Sequence, residues 1–183
     1  KNVNKWVVFS EHAKKILSKY VNKNIIYLEK INIKLVNKKK NKKIYDFIYP
    51  ASGEVHKNHK KLIDAFIHLS KKKCFPKLLI TLNKSDYKKL NILYYKKKYK
   101  LKIFNKNNKN REVFLKNYNK SRALIFPSTS ETLGLPLLEA KEMGMDILVS
   151  NKEFAKNYTS KKYMFNPYKT ESIVKVILKY LHN

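Results

Sequence analysis

Cysteine, glycine and arginine are scarce in this chain of 183 residues. Its single cysteine, Cys74, cannot close an internal disulfide, which fits a reducing compartment and excludes a cysteine-based metal site. Arg111 and Arg122 are the only two arginines. Base-reading interfaces favour arginine, so this scarcity argues against a protein that reads nucleic-acid sequence.

Long apolar runs and several catalytic motifs are also missing. No run of apolar residues approaches the ~20 that span a bilayer, and no signal peptide is visible. The chain has no Gly-x-Gly-x-x-Gly, which disfavours a nicotinamide dehydrogenase, and no Gly-x-Ser-x-Gly, which disfavours a serine hydrolase. It begins at Lys1 rather than Met, and we expect that an upstream part is missing.

Positive charge is abundant, because 42 Lys and Arg stand against 13 Asp and Glu, a formal net charge of +29. Such an excess favours nucleic acid, an anionic membrane surface or an anionic substrate as partner. The lysines are spread over predicted helix surfaces and no nucleic-acid motif is present, so we expect no nucleic-acid partner. A basic nucleic-acid-binding protein stays open as an alternative. We expect a cytoplasmic protein, with peripheral attachment to the inner face of the plasma membrane as an option.

Short apolar runs alternate with amphipathic segments along most of the chain. Continuous apolar strands between such helices predict an α/β fold, a Rossmann-like parallel sheet with helices on both faces. A Lys/Asn-rich linker at 37–43 is expected to separate a first part, 1–36, from a domain at 44–183. The predicted strands are 6–9, 44–49, 77–82, 101–105, 123–127, 146–150 and 163–165, and residues 24–28 form another short apolar run. The predicted helices are 11–20 with Ser10 as its cap, 58–72, 85–97, 111–119, 135–143, 152–158 and 170–181.

The strongest functional signal lies in residues 126–140. A buried strand leads into a turn at Gly134, and Pro136 suits the first turn of the helix that follows. Free backbone N–H groups and the positive end of the helix dipole make such a turn an anion site. Glu131 before the turn and Glu139 inside the helix are predicted to face one crevice, where carboxylates accept hydrogen bonds from sugar hydroxyls. The alternative is that both are solvated acids at a helix start.

This segment resembles the Glu-x7-Glu signature of retaining glycosyltransferases with the GT-B fold, especially family-four enzymes. Residues 130–140 read Ser-Glu-Thr-Leu-Gly-Leu-Pro-Leu-Leu-Glu-Ala, and the family has Gly-Phe where this chain has Thr132-Leu133. In the loop after strand 44–49, Lys57 matches the lysine of the family's basic pair, whereas Ser52 stands where the family has arginine. The resemblance covers about residues 44–183 and implies the donor-binding half of the fold. Residues 1–36 would then be a remnant of the N-terminal, acceptor-side domain, most of which is missing.

The family's chemistry is implied in turn. The resemblance implies transfer of a hexose from a nucleotide diphosphate sugar, a UDP-sugar or GDP-sugar, with retention at the anomeric carbon. The implied acceptor is a glycan or a lipid-linked molecule, as in polysaccharide or lipopolysaccharide synthesis. No cofactor or metal is expected, in agreement with the missing Asp-x-Asp motif. The isolated half would lack the acceptor contacts, so a catalytically silent nucleotide-binding fragment is a further alternative.

The resemblance also assigns roles to residues. Glu139 would bind the ribose diol and Glu131 the donor sugar. Lys57, with backbone N–H groups near Gly134 and Leu135, would stabilise the negative charge that builds on the diphosphate as it leaves the sugar.

Two further positions complete the predicted site. Ser52 would lie beside the diphosphate, and Asn105 lies where the family approaches the base. His56 and His59 flank Lys57, but a metal pair has no third ligand nearby. We therefore interpret both histidines as loop or helix-start residues.

Overall fold

The computed structural model describes residues 4–9, 11–28, 42–107, 111–156 and 158–183. Within these ranges the strands are β1 (Trp6–Val8), β2 (Ile26–Leu28), β3 (Tyr45–Tyr49), β4 (Leu78–Ile80), β5 (Ile103–Asn105), β6 (Ser121–Phe126), β7 (Asp146–Ser150) and β8 (Met164–Phe165). The α-helices are α1 (Glu11–Leu17), α2 (His59–Lys71), α3 (Lys84–Lys89), α4 (Ile92–Lys98), α5 (Arg111–Asn119), α6 (Leu135–Glu142) and α7 (Thr170–Leu181). None of the described helices is long and apolar enough to cross a bilayer.

Strands β3 to β8 form one six-stranded sheet in the order β5-β4-β3-β6-β7-β8, and every neighbouring pair is parallel. The predicted α/β class with a Rossmann-like sheet is confirmed. β1 and β2 pair separately, with Trp6 opposite Ile26. In the large sheet the chain runs outward from β3 to β5 and then outward again, in the other direction, from β6 to β8. Ligands of such sheets bind beyond the carboxyl ends of the strands where this order reverses, here β3 and β6.

The two central strands are apolar along almost their whole length. In β6 every residue except Arg122 is buried, and in β3 only Asp46 is not fully buried. Strands covered by helices on both faces need such continuous apolar sequences. The apolar face of α2 is buried and includes Phe66, whose ring meets that of Phe47 edge-on at 6.5 Å between centroids.

Two predicted helices are wrong. The segment 85–97 forms two short helices, α3 and α4, because Asn91 adopts a left-handed conformation with φ 51°. Asparagine tolerates this conformation and often ends a helix. In the segment 152–158 the described residues, 152–156 and 158, form a single 3₁₀ turn, Glu153–Ala155, and no α-helix. The predicted cap Ser10 and the linker residues 37–41 lie outside the described residues.

Candidate functional site

The loops that follow β3 and β6 meet at the point where the strand order reverses. Lys57 lies in the first loop and Glu131 in the second, 74 positions apart in sequence. Their side chains form an ion pair, with 2.7 Å between Lys57 Nζ and Glu131 Oε1. The lysine side chain is 17% exposed and the glutamate side chain 9%. The structure therefore brings together two of the predicted site residues, as a pair largely shielded from solvent.

A pocket of about 450 Å³ opens beside this pair. It is lined by His56 and Lys57 from the first loop and by Ser130, Glu131 and Thr132 from the second. The lining thus offers one ammonium, one carboxylate and two hydroxyl side chains. This set can bind a ligand that carries both negative charge and hydroxyl groups.

A buried tyrosine holds the backbone at Lys57. Tyr49, the last residue of β3, donates its hydroxyl to the carbonyl oxygen of Lys57 at 2.6 Å. Burial raises the pKa of the Tyr49 phenol well above its ordinary value, and the carboxylate of Glu131 raises it further. The hydroxyl therefore stays protonated at neutral pH and remains a donor to Lys57.

His59 supports the same loop from the start of α2. Its ring lies 4.7 Å from the Tyr49 ring, between centroids, and its Nε2 donates to the Ser52 carbonyl oxygen at 2.8 Å. Burial lowers the pKa of His59 to about 4, despite opposing contributions from the Ser52 carbonyl and Asp86. The ring is therefore neutral at pH 7 and serves as a structural donor, in agreement with the interpretation that favoured a helix-start role over a metal ligand.

Asn58 ties three loops together. It adopts a left-handed conformation with φ 59°, and its Nδ2 donates to the carbonyl oxygens of Pro127 at 3.1 Å and Pro167 at 2.8 Å. These two prolines follow β6 and β8. Sequence reasoning missed this residue, although an asparagine directly before a helix is a signal for an unusual backbone conformation. Its partners are 69 and 109 positions away and have no local signature.

Ser128 and Thr129 complete the connection between the β3 and β6 loops. The backbone N–H of Thr129 donates to the His56 carbonyl oxygen at 2.8 Å, and the hydroxyl of Ser128 lies 3.0 Å from the same oxygen. Ser128 is fully buried. These contacts fix the positions of Lys57 and Glu131 relative to each other.

The turn into α6 has the predicted backbone. Gly134 is left-handed, with φ 67° and ψ 54°, and a Cβ atom there would lie 2.9 Å from Leu137 Cδ1. The left-handed conformation favours glycine. Leu135 begins α6 and Pro136 occupies its first turn. The N-terminus of α6 therefore lies at the carboxyl edge of the sheet, where it can attract an anion.

Glu139 lies apart from the pocket that contains Glu131. It is 1% exposed, and its Oε2 accepts a hydrogen bond from the hydroxyl of Tyr118 at 2.6 Å. It does not line the 450 Å³ pocket. Of the two carboxylates, only that of Glu131 lines this pocket. The role assigned to Glu139 stays a prediction.

The remaining predicted residues lie around this centre. Ser52 is exposed, and its hydroxyl donates to Glu54 Oε2 at 2.9 Å. The next residue, Gly53, donates its N–H to Asp86 Oδ2 at 3.0 Å, and a Cβ at Gly53 would lie 2.3 Å from Asp86 Cγ.

Asn105 ends β5, two strands from β3, and donates Nδ2 to the Leu82 carbonyl oxygen at 2.8 Å. The structure therefore does not bring Asn105 to the pocket beside Lys57.

Among the described residues, no group of three or more His, Cys, Asp or Glu side chains is arranged to hold a metal ion.

Comparison with known families now supplies the identity of the fold. Residues 30–183 match the sequence model of the family described as glycosyl transferases group 1. The chain belongs to this family. The predicted resemblance to the C-terminal domain of a GT-B glycosyltransferase is confirmed.

Solved structures of this glycosyltransferase fold agree with the assignment. A variant of S. aureus TarM, in complex with fondaparinux, alpha-GlcNAc-glycerol and UDP, has a TM-score of 0.80 at 16% identity over 99% of this chain and 37% of that one. Sucrose-phosphate synthase from Thermosynechococcus elongatus has a TM-score of 0.75 at 16% identity, over 100% of this chain and 50% of the other.

The C-terminal domain of LpcC, a glycosyl transferase group 1 family protein from Francisella tularensis, has a TM-score of 0.63 at 16% identity and covers 78% of this chain and 77% of its own length. At these identities the likeness establishes the fold. The chain spans 37 to 50% of the length of the first three solved structures that it matches. No curated protein sequence matches it.

Proposed function

We propose that this chain is the donor-binding half of a retaining glycosyltransferase and binds a nucleotide diphosphate sugar. The observation that carries the proposal is the Lys57–Glu131 ion pair, placed where the strand order reverses and beside an open pocket of about 450 Å³. A neighbouring fold, pneumococcal GtfA, was solved in complex with UDP and GlcNAc, which supports a nucleotide sugar as the ligand.

In the proposed chemistry, Lys57 and Glu131 bind different parts of the donor. The ammonium of Lys57 and the N-terminus of α6 bind the diphosphate and stabilise the charge that develops as it leaves. The carboxylate of Glu131 accepts hydrogen bonds from hydroxyls of the donor sugar, which holds the anomeric carbon in place for attack. In this scheme the helix end and the lysine supply the positive charge, so the proposal includes no metal or cofactor.

Binding of the ribose by Glu139 needs movement of the groups that cover it, since only 1% of the residue is exposed. A Glu139→Ala variant would also deprive the buried Tyr118 hydroxyl of its acceptor, which is destabilising in itself. Lys57 is the better first target, because it lines the pocket and Glu139 does not.

We propose an acceptor-side domain as the missing partner, and a glycan or a lipid-linked molecule as the acceptor. The matched structures, about two to three times as long as this chain, support a second domain. Hexose transfer would then occur in a cleft between the two domains. This part of the proposal is tested by assaying transfer with the chain alone and with an acceptor-side domain added, and transfer is expected only in the second case.

The decisive experiment is calorimetric titration of the chain with UDP, GDP and ADP. One of them is expected to bind, and Lys57→Met is expected to weaken binding about 10- to 100-fold, because a charge-assisted hydrogen bond contributes roughly 1.5–3 kcal/mol. Lys71→Met removes an exposed lysine at the far end of α2 and should bind like the original chain. Absence of binding to all three nucleotides, or equal binding by the Lys57 variant, would contradict the proposal.

A further inference from the structure

Helices α3 and α4 form a surface in which apolar and lysine side chains alternate. A groove of about 400 Å³ is lined by Tyr87, Lys88, Asn91, Leu93, Tyr94 and Lys97, which we call the α3–α4 patch. Leu93 and Tyr94 are each 54% exposed. A leucine and a tyrosine so exposed on one short helix form a small apolar surface that the described part of the chain leaves uncovered.

Positive charge surrounds this apolar surface. Residues 84–106 contain nine lysines and a single acid, Asp86. That carboxylate is already occupied, since it accepts hydrogen bonds from the Gly53 N–H and from Asn83 Nδ2. Hydrogen bonds from these neutral donors leave the charge of Asp86 in place, so residues 84–106 carry a net charge of +8. This is a higher charge per residue than that of the whole chain, which carries +29 over 183 residues.

The lysines next to the patch are held against aromatic rings. Lys98 Nζ donates to the Tyr94 hydroxyl at 2.9 Å and lies 5.3 Å from the centre of that ring and 5.6 Å from that of Tyr99. Lys96 Nζ lies 5.5 Å from the centre of the Phe104 ring. The ammonium groups are thus fixed at the border of the apolar surface.

We propose that the α3–α4 patch binds the surface of an anionic lipid bilayer. Exposed tyrosine and leucine side chains enter the boundary between the headgroups and the acyl chains of a bilayer. Lysine stems lie along apolar groups while their ammonium ends reach the phosphates. A cluster of four to eight basic residues beside an amphipathic helix is typical of binding to anionic lipids.

The composition of the patch favours lipid over nucleic acid. It contains no arginine, the side chain that dominates base and phosphate recognition in nucleic acids. Leu93 offers nothing to a base edge or a phosphate, whereas a bilayer rewards its exposure. A lipid bilayer is thus the occupant that uses both the charged and the apolar side chains of the patch.

The patch is joined to the candidate site through one contact. Asp86 in α3 holds Gly53, which lies in the same loop as Lys57, and the next residues of α3 line the patch. Lipid binding itself does not depend on the proposed glycosyl transfer, so either one can fail without the other.

The test is sedimentation of the chain with vesicles, either of phosphatidylcholine alone or with about one third phosphatidylglycerol. Binding is expected only to the anionic vesicles, and it should weaken as salt rises. Lys88→Gln with Lys97→Gln should weaken binding roughly 30-fold, because each lysine at an anionic surface contributes about fivefold. Lys175→Gln with Lys179→Gln removes the same charge from exposed positions on α7 and should change binding at most fivefold.

A second variant separates insertion from general attraction between charges. Leu93→Asn with Tyr94→Asn keeps every charge and should weaken vesicle binding at least fivefold, while circular dichroism shows an intact fold. Unchanged binding by this variant, or equal losses in the two lysine pairs, would overturn the proposal. It would also fail if a single-stranded RNA bound the chain, the anionic vesicles did not, and the Leu93 and Tyr94 changes abolished the RNA binding.

Discussion

At the scale of single residues, the feature that governs the site is the Lys57–Glu131 ion pair. Both side chains are largely buried, so each charge depends on the other for compensation. A diphosphate arriving at Lys57 must therefore share the ammonium with a carboxylate that also repels it. Glu131 thus opposes binding of the nucleotide alone, even though the proposed donor sugar needs it.

Glu131→Gln should separate these two effects. The amide keeps the shape of the side chain and removes its charge, so a nucleoside diphosphate that binds the chain should bind about 5- to 30-fold more tightly, a gain of roughly 1–2 kcal/mol. Sugar transfer, measured with the acceptor-side domain present, should fall at least 100-fold. Calorimetry and a transfer assay test both parts, with Glu142→Gln, an exposed glutamate of α6, as the control. Weaker nucleotide binding by the Glu131→Gln variant would contradict this view.

At the scale of elements, the sequence predicted what depends on local pattern. The strands and most helices follow from apolar periodicity, and α5, β7 and α7 have the predicted bounds. The break at Asn91 was missed because its left-handed conformation is allowed for asparagine but not required. In the site, the motif gave Glu131 and Gly134. The Tyr118–Glu139 contact could not be foreseen, since it joins side chains on different helices.

Asn58 provides a test of how the loops are held. Asn58→Gly keeps the left-handed backbone and removes only the amide that binds the Pro127 and Pro167 carbonyls. We expect a loss of about 2 kcal/mol in the free energy of unfolding and weaker nucleotide binding. Urea denaturation and calorimetry measure the two effects.

The chain offers a matched control for this substitution. Asn91 is also left-handed, and its side chain makes no capping hydrogen bond. Asn91→Gly should therefore change the free energy of unfolding by less than about 1 kcal/mol. Similar losses in the two variants would mean that the amide of Asn58 does not hold the loops.

At the scale of the whole molecule, stability should depend on pH through a histidine buried at the carboxyl edge of the sheet. Burial lowers the pKa of His59 from 6.5 to about 4. Below pH 6.5 the unfolded chain binds a proton at this histidine, whereas the folded chain binds it only as the pH approaches 4. Stability is therefore complete above pH 6.5 and declines as pH falls towards 4.

The expected decline attributable to His59 is roughly 2 kcal/mol between pH 7 and pH 5. Urea denaturation at the two pH values measures it. His59→Gln should reduce the difference by about that amount, whereas His68→Gln, on the same helix, should leave it in place. An undiminished difference in the His59 variant would show that other groups cause the decline.

The order of the strands also bears on how the molecule folds. Lys57 and Glu131 are 74 positions apart, and they meet only once β3 has paired with β6. Closing so long a loop is a late and costly event for a chain. A ligand that needs both side chains finds its site only in molecules that have completed this pairing. Such a ligand prolongs the lifetime of the folded state and leaves the rate of folding unchanged.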